Sequence, residues 1–197
     1  MDDFFVTTIW GDSLFGYSFQ PSMGASGGLL IVWDINVGDV WSSTSFGHVL
    51  VIKGRVIRTN YEFVIANVYA PCDMAAKQIL WDNLTSFVLA NGNENVCLCG
   101  DFNLVRSDGE RKSRTLVFRQ MDADKFNKFI EDSFLVDMPI CGGLFTWYQG
   151  DEYSMSRLDR FLLSNNWCFV RPNCVQVALL RGLSDHVPLV LHVDEDN

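Results

Sequence analysis

The stretch that most constrains the fold is Val96-Cys97-Leu98-Cys99-Gly100-Asp101-Phe102-Asn103. Four apolar residues stop at a glycine and are followed at once by a carboxylate and an amide two positions apart. The period-two geometry of an extended backbone sends Asp101 and Asn103 to the same side, at the mouth of whatever buries the strand. An acid and an amide there suit the handling of a proton and of negative charge developing on a phosphate. The same residues also read as a strand closed by an Asx turn, and on this stretch alone the two readings stand level.

The rest of the chain is long enough to bury such a strand. Its 197 residues, 48% hydrophobic and 20% charged, suit one domain over residues 1–197 with a substantial core. The start Met1-Asp2-Asp3-Phe4-Phe5 lacks the basic region of a signal peptide, and no apolar run is long enough to cross a bilayer. The expectation is a soluble intracellular protein, a monomer with no membrane partner and no visible targeting signal. Six cysteines are scattered without a CxxC pair and sit mostly in apolar stretches, which favours buried thiols over disulfides or a zinc site. A net charge of -9 argues against attraction of nucleic acid to the whole surface. Locally the balance reverses, because Arg106, Arg111, Lys112, Arg114 and Arg119 crowd the segment after Asn103 against only Asp108 and Glu110. That loop reads either as a basic lip for a phosphodiester or as a solvated polar loop.

Taken in order, residues 4–28 are aromatic and glycine-rich, with Trp10, Phe15, Tyr17 and Phe19 at strand-like intervals, which suits short strands and a hairpin. Gly24-Ala25-Ser26-Gly27-Gly28 matches the G-x-S-x-G nucleophile pattern, but a turn precedes it and the strand Leu29–Trp33 follows, the reverse of what that elbow needs. Residues 49–53 and 55–58 read as two strands split by Gly54, and 63–69 as a third that leaves Tyr69 at its tip before Ala70-Pro71. Strand following strand with short turns signals antiparallel pairing. Asp73 is placed to cap a helix running to Gly92, and residues 122–133 have the spacing of a second amphipathic helix. Strands resume at 145–148, 156–163, 175–180 and 187–193.

Asp159 lies in an otherwise alternating apolar strand, where a lone carboxylate is costly unless something pairs with it. Its natural partner is His186, whose tautomer and basicity such an acid would fix. Neighbouring residues cannot form a hydrogen-bonded triad among themselves, so Ser184-Asp185-His186 is a poor serine-hydrolase reading.

In this order, Tyr69-Ala70-Pro71, Gly100-Asp101-Phe102-Asn103, Ser156-Arg157-Leu158-Asp159-Arg160-Phe161 and Leu183-Ser184-Asp185-His186-Val187-Pro188 resemble the endonuclease/exonuclease/phosphatase family. The texture of residues 26–34 and of Phe145-Thr146-Trp147 is similar to the endonuclease domain of plant LINE-type non-LTR retrotransposons. The resemblance implies an α/β (α+β) fold, a four-layer αββα sandwich of two mixed, mainly antiparallel sheets, and phosphodiester hydrolysis with Mg²⁺ or Mn²⁺. It implies that Tyr69 bonds the scissile phosphate, Asp101 orients or deprotonates water, and Asn103 steadies the phosphorane. Asp159 would hold His186, the general base or charge stabiliser, and Asp185 would sit by the metal. Thr146 and Trp147 would lie near DNA, although Trp147 equally reads as core, and Arg111, Lys112 and Arg114 would form the basic lip. A DNA substrate implies the nucleus.

The family pattern opens with a strand carrying an asparagine and a second strand ending in a metal-binding glutamate, and neither is found. Aligning Trp10 and the Gly27-Gly28 strand with that pattern leads to the expectation of a sandwich lacking its first strands, truncated at the amino end, with weak or absent nicking. The alternatives are a non-catalytic nucleic-acid- or protein-binding remnant of the fold and a phosphatase of the same fold.

Overall fold

The computed structural model describes residues 3–11, 13–22, 28–113, 117–150 and 153–193. The nucleophile-like stretch at 24–27 and Arg114 lie outside the described residues. The chain runs α1 (Asp3–Trp10), β1 (Phe15–Gln20), β2 (Leu29–Asp34), β3 (Gly38–Phe46), β4 (Val49–Val56), β5 (Tyr61–Tyr69), α2 (Met74–Ala90) and β6 (Val96–Asp101). It continues through β7 (Arg111–Lys112), α3 (Gln120–Asp132), β8 (Leu135–Asp137), β9 (Ile140–Cys141), β10 (Trp147–Tyr148), β11 (Met155–Ser156), β12 (Asp159–Ser164), α4 (Asn165–Val170), β13 (Cys174–Ala178) and β14 (Leu189–Val193).

The organising element is a six-stranded mixed sheet of order β3-β4-β5-β6-β12-β8. Only β5 and β6 run parallel in it, joined by the crossover helix α2, while its other neighbours are antiparallel. Alternation sorts the side chains to two faces. On one face Val64, Ala66, Val68, Val96, Leu98 and Leu162 meet Leu80, Trp81 and Leu84 of α2 and Phe126, Phe129 and Ile130 of α3. Trp81 lies at the centre, with ring centroids 5.1 Å from Phe126 and 4.9 Å from Phe129. Each such buried side chain contributes about 1.5–3 kcal/mol. On the other face Cys97, Phe161 and Leu163 pack with Leu191 and Val193 of β14 and Trp167 of α4. The β1-β2 hairpin also lies on this side, where Asn67 Nδ2 donates to the Leu30 carbonyl at 3.2 Å. The result is an α/β sandwich with helices outside one sheet and a second strand layer on its other face.

Several local expectations need correction. Residues 3–10 are helical rather than extended: only Val6 of them is buried, and among the described residues no strand pairs with this segment. Thr7 and Thr8 donate their hydroxyls back to the carbonyls of Asp3 and Phe5. Strand β3 escaped the sequence reading because it is an edge strand whose outer positions are Ser and Thr, with no apolar alternation to detect. Gly54 does not split two strands. A Cβ there would come within 2.7 Å of the Asp39 carbonyl, so the glycine permits close approach inside the continuous strand β4. The helix after Asp73 is as expected, with Asp73 Oδ1 accepting from Ala76 N at 2.9 Å. All six cysteines are free thiols, with Cys97 and Cys174 buried but Cys72 and Cys141 exposed.

Candidate active site

Strand register builds the site. The parallel pairing of β5 with β6 sets Tyr69 opposite Asp101, and the antiparallel pairing of β6 with β12 sets Asp159 opposite Asp101. Opposed residues on neighbouring strands point to the same face, so Tyr69, Asp101 and Asp159 form one row at the ends of three adjacent strands. They face the second strand layer, one step beyond the row Asn67, Cys99 and Phe161.

Gly100 makes the row possible. Its φ is +129°, and a Cβ there would lie 2.1 Å from the Val68 carbonyl oxygen. Immediately after the row the chain turns through Asn103, whose φ is +50°. Asn103 N donates to Asp101 Oδ1 at 2.8 Å and its Nδ2 donates to the Ala70 carbonyl at 2.8 Å. The Asx turn of the second reading is present, and it fixes the direction of the Asp101 carboxylate. One amide hydrogen of Asn103 is taken up by the tie to Ala70, and the second remains for a ligand oxygen.

His186 arrives from the loop before β14. Its Nδ1 lies 2.8 Å from Asp159 Oδ2, which orients the ring and leaves Nε2 as its free nitrogen. The loop is fixed by β10, where Trp147 bridges to His186 and Tyr148 N donates to the Asp185 carbonyl at 2.9 Å. Thr146, expected beside DNA, is instead fully buried. Its Oγ1 accepts the backbone N–H groups of Leu158 and Asp159, both at 2.9 Å, and its carbonyl accepts Val187 N at 2.7 Å. One hydroxyl thus rivets the start of β12 to the segment that carries His186. The sequence held no signal for this role, because it depends on which backbone N–H groups the fold leaves unpaired.

The electrostatics follow from burial and from crowding of like charge. Burial, then the facing Asp159 carboxylate, push the Asp101 carboxyl up to about 6, while the Asn103 N–H and His186 oppose the rise. The hydrogen bond from Asp159 holds the His186 imidazole above its usual value of 6.5 against a desolvation cost. Asp185 is exposed, and Trp147 Nε1, donating to its Oδ2 at 3.1 Å, holds its carboxyl below the ordinary range.

The expected basic lip divides. Arg111 is half-buried and its Nε donates to Ser156 Oγ at 3.2 Å, while exposed Lys112 lies over the Phe145 ring at 5.8 Å. Both sit on β7 of the small sheet β10-β11-β7, which joins them to Trp147. Arg106 turns away instead, donating to Asn127 Oδ1 at 2.7 Å and Asp137 Oδ2 at 3.0 Å. There it joins a buried ionic network that the sequence reading missed, in which Arg160 pairs with Glu110 and Asp137, and Arg157 pairs with the same two acids. The signal was the pair of arginines flanking Leu158-Asp159, one of them fully buried.

The oxygen donors near the row, Asp101, Asp185 and the amide of Asn103, are of the hard type that suits Mg²⁺ or Mn²⁺. Among the described residues no three His, Cys, Asp or Glu side chains gather as a metal cage. The set fits an ion held by one or two carboxylates and completed by phosphate oxygens and water, the usual manner of Mg²⁺. Chemically, the row and the segments that follow it offer a carboxylate able to exchange a proton near neutrality, an imidazole oriented by Asp159, and the Tyr69 hydroxyl and Asn103 amide as hydrogen-bond donors.

Comparison with known proteins bears on the fold. The chain is 14% identical to the endonuclease domain of TRAS1, a telomere-specific non-LTR retrotransposon, with a TM-score of 0.69 over 93% of this chain and 81% of that one. It is 16% identical to the mannosyl-6-phosphatase Bt3783 of Bacteroides thetaiotaomicron, with a TM-score of 0.57 over 91% and 77% of the two chains. With the human Nocturnin catalytic domain it shares 14% identity and a TM-score of 0.58, covering 96% of this chain and 74% of that one. At these identities the likeness is one of fold. No curated protein matches this sequence. The profile described as the Endonuclease/Exonuclease/phosphatase family matches residues 4–186, and the chain belongs to that family.

Proposed function

We propose that the chain is a divalent-metal-dependent phosphodiesterase of the LINE-type retroelement endonuclease kind, acting on DNA and therefore in the nucleus. The observation that carries this reading is the row Tyr69, Asp101 and Asp159 with His186 hydrogen-bonded to its last member. Hydrolysis of a phosphodiester needs positioned water and neutralisation of charge spreading over the phosphoryl oxygens. Asp101, with its carboxyl near 6, orients the attacking water and accepts its proton. His186, kept protonated to higher pH by Asp159, places positive charge on a phosphoryl oxygen through Nε2. The Tyr69 hydroxyl and the second amide hydrogen of Asn103 donate to the remaining oxygens. Members of this family generally use divalent metals. Asp101 and Asp185 would hold the ion here, and it would neutralise the phosphate charge that these donors do not reach.

Sparse acidic donors make that ion weakly held, so turnover is expected to be slow and to require millimolar metal. The test is nicking of supercoiled plasmid by the purified chain with Mg²⁺ or Mn²⁺, beside an Asp101→Ala control. Slow, metal-dependent nicking that disappears in the control supports the reading. DNA retention without cleavage at any metal concentration would replace it with the non-catalytic binder, and cleavage that survives Asp101→Ala would place the chemistry elsewhere.

A further inference from the structure

Beside the row, on the side of α2, lies a cleft of about 440 Å³ whose charge is opposite to that of the protein as a whole. Three cations line it, Lys77, Arg111 and Arg119, against one acid, Asp122, in a chain of net charge -9. Lys77 on α2 is only 3% exposed and its Nζ donates to the Cys72 carbonyl at 3.1 Å. Among the described residues no carboxylate lies within ion-pair distance of Lys77, Arg111 or Arg119, whereas Lys53, Arg55, Arg106, Lys128, Arg157 and Arg160 all have one. Burial lowers the pKa of both Lys77 and Arg111, and for Lys77 it does so against the pull of Asp101, Asp122 and Asp73, which stand near it but outside ion-pair distance. Helix α3 begins at Arg119 with no side-chain cap, so the positive end of its dipole also opens here.

Among the described residues Lys77 and Arg111 have only neutral partners, the Cys72 carbonyl and the Ser156 hydroxyl, and a desolvated cation with no anion in contact is costly until one completes it. The position of the cleft says which anion fits. Leu104, on its wall, follows Asn103 directly, and Cys72 stands three residues beyond Tyr69, at most about 11 Å of backbone. Phosphates along one DNA strand advance about 3.4 Å along the axis per nucleotide, so the cleft lies within a few phosphates of the row.

We infer that the Lys77, Arg111 and Arg119 cleft is a second phosphate subsite, which takes a backbone phosphodiester flanking the one at Asp101. The choice of a backbone phosphate rests on the phosphodiesterase reading, whereas the affinity for phosphate rests on the cleft alone. Arg111 and Arg119 at the mouth confer on-strand grip, and Lys77 sets the depth of the seat.

Two measurements test it. Inorganic phosphate titrated into ¹⁵N-labelled protein is expected to shift the amides of Cys72, Lys77, Leu104 and Arg111 saturably, and a 20-bp duplex is expected to displace it. In EDTA, the slope of log K against log salt for that duplex is expected to fall by about 2 in the Arg111→Gln/Arg119→Gln double variant, with affinity at 0.1 M salt down about tenfold per cation removed. Lys77→Met is expected to weaken phosphate binding further, and the double variant carries the test if Lys77→Met does not fold. Phosphate shifts confined to the surroundings of Asp101 and His186, or an unchanged salt slope, would overturn the subsite even in a chain that nicks DNA. Phosphate that binds in the cleft but is not displaced by duplex would overturn the backbone assignment. Binding and displacement in a chain that never nicks would keep the subsite and reject the phosphodiesterase.

Discussion

Replacing Asp101 by Asn should make the protein more stable at pH 8 while abolishing its proposed activity. The carboxyl of Asp101 rises from 3.8 to about 6 on folding, chiefly through burial and secondly through Asp159 beside it. A folded-state pKa above the unfolded one means that the folded chain holds this proton the more tightly. The group is therefore harmless below about 4, and its ionisation costs stability progressively as pH climbs from 3.8 towards 6. A rise of about two pH units corresponds to about 3 kcal/mol, and water reaching a partly exposed carboxyl discounts this to about 2 kcal/mol. Asn keeps the shape and the oxygen that accepts from Asn103 N but never ionises. Thermal unfolding followed by circular dichroism should show Asp101→Asn melting about 4–8 °C above the parent chain at pH 8. At pH 4 the two should coincide. Millimolar Mg²⁺ at pH 8 should narrow the gap, because an ion at Asp101 offsets in the parent the repulsion that Asn removes outright. A variant equal to or less stable than the parent at pH 8 would refute the reasoning, since it would mean that the carboxylate is well solvated or well paired.

Other substitutions probe the same geometry. Asp159→Asn should lower the pKa of His186 towards or below 6.5 and that of Asp101 below about 6, both read from NMR titration, with nicking reduced at least a hundredfold; the sign is the same for both because Asp159 raises each of them. Thr146→Val keeps the shape but strands the N–H groups of Leu158 and Asp159, and should cost about 2–4 kcal/mol in urea unfolding, most of it restored by Thr146→Ser. Gly100→Ala, which must hold φ at +129° with a Cβ 2.1 Å from a carbonyl oxygen, should lose at least about 3 kcal/mol or fail to fold, visible as lost near-UV circular dichroism. Arg160→Met leaves Glu110 and Asp137 buried with less cation to share and should cost about 3–5 kcal/mol by the same unfolding measurement.

What the sequence revealed was whatever depends on short-range pattern. The apolar run into Gly100-Asp101, the capped helix after Asp73 and the end of β5 at Tyr69 each follow from periodicity and turn chemistry within a few residues. The pairing of Asp159 with His186 could be suspected from the cost of a lone carboxylate in a strand. What stayed hidden depends on partners far along the chain. The edge strand β3 has no buried alternation to betray it, and Gly54 resembles a turn glycine until Asp39 is seen against it. Residues 3–10 carry the β-branched and aromatic composition of a strand, yet tertiary context makes them a helix. Thr146 resembles a surface residue beside DNA in sequence and is a buried acceptor in the structure. Arg106 resembles a phosphate ligand and is held by Asp137.

The start of β12 shows how one peptide serves both site and scaffold. Alternation along the strand sends Asp159 towards His186 and Arg160 to the opposite face, against the ring of Phe126. There Arg160, fully buried, binds Glu110 of the loop that leads into β7 and Asp137 of β8. Arg157, two residues before the strand, binds the same two acids. A buried ionic network of this kind is a poor source of net stability, because desolvation offsets most of its attraction. Its geometry is nonetheless specific: each guanidinium reaches two acids from different elements, so the network ties β12, β8 and the loop before β7 to one another. These ties help set where Asp159 stands and where the backbone delivers Arg111 to the neighbouring cleft. Two arginines on the far side of the sheet thereby bear on the spacing between the row Tyr69, Asp101 and Asp159 and the cations beside it.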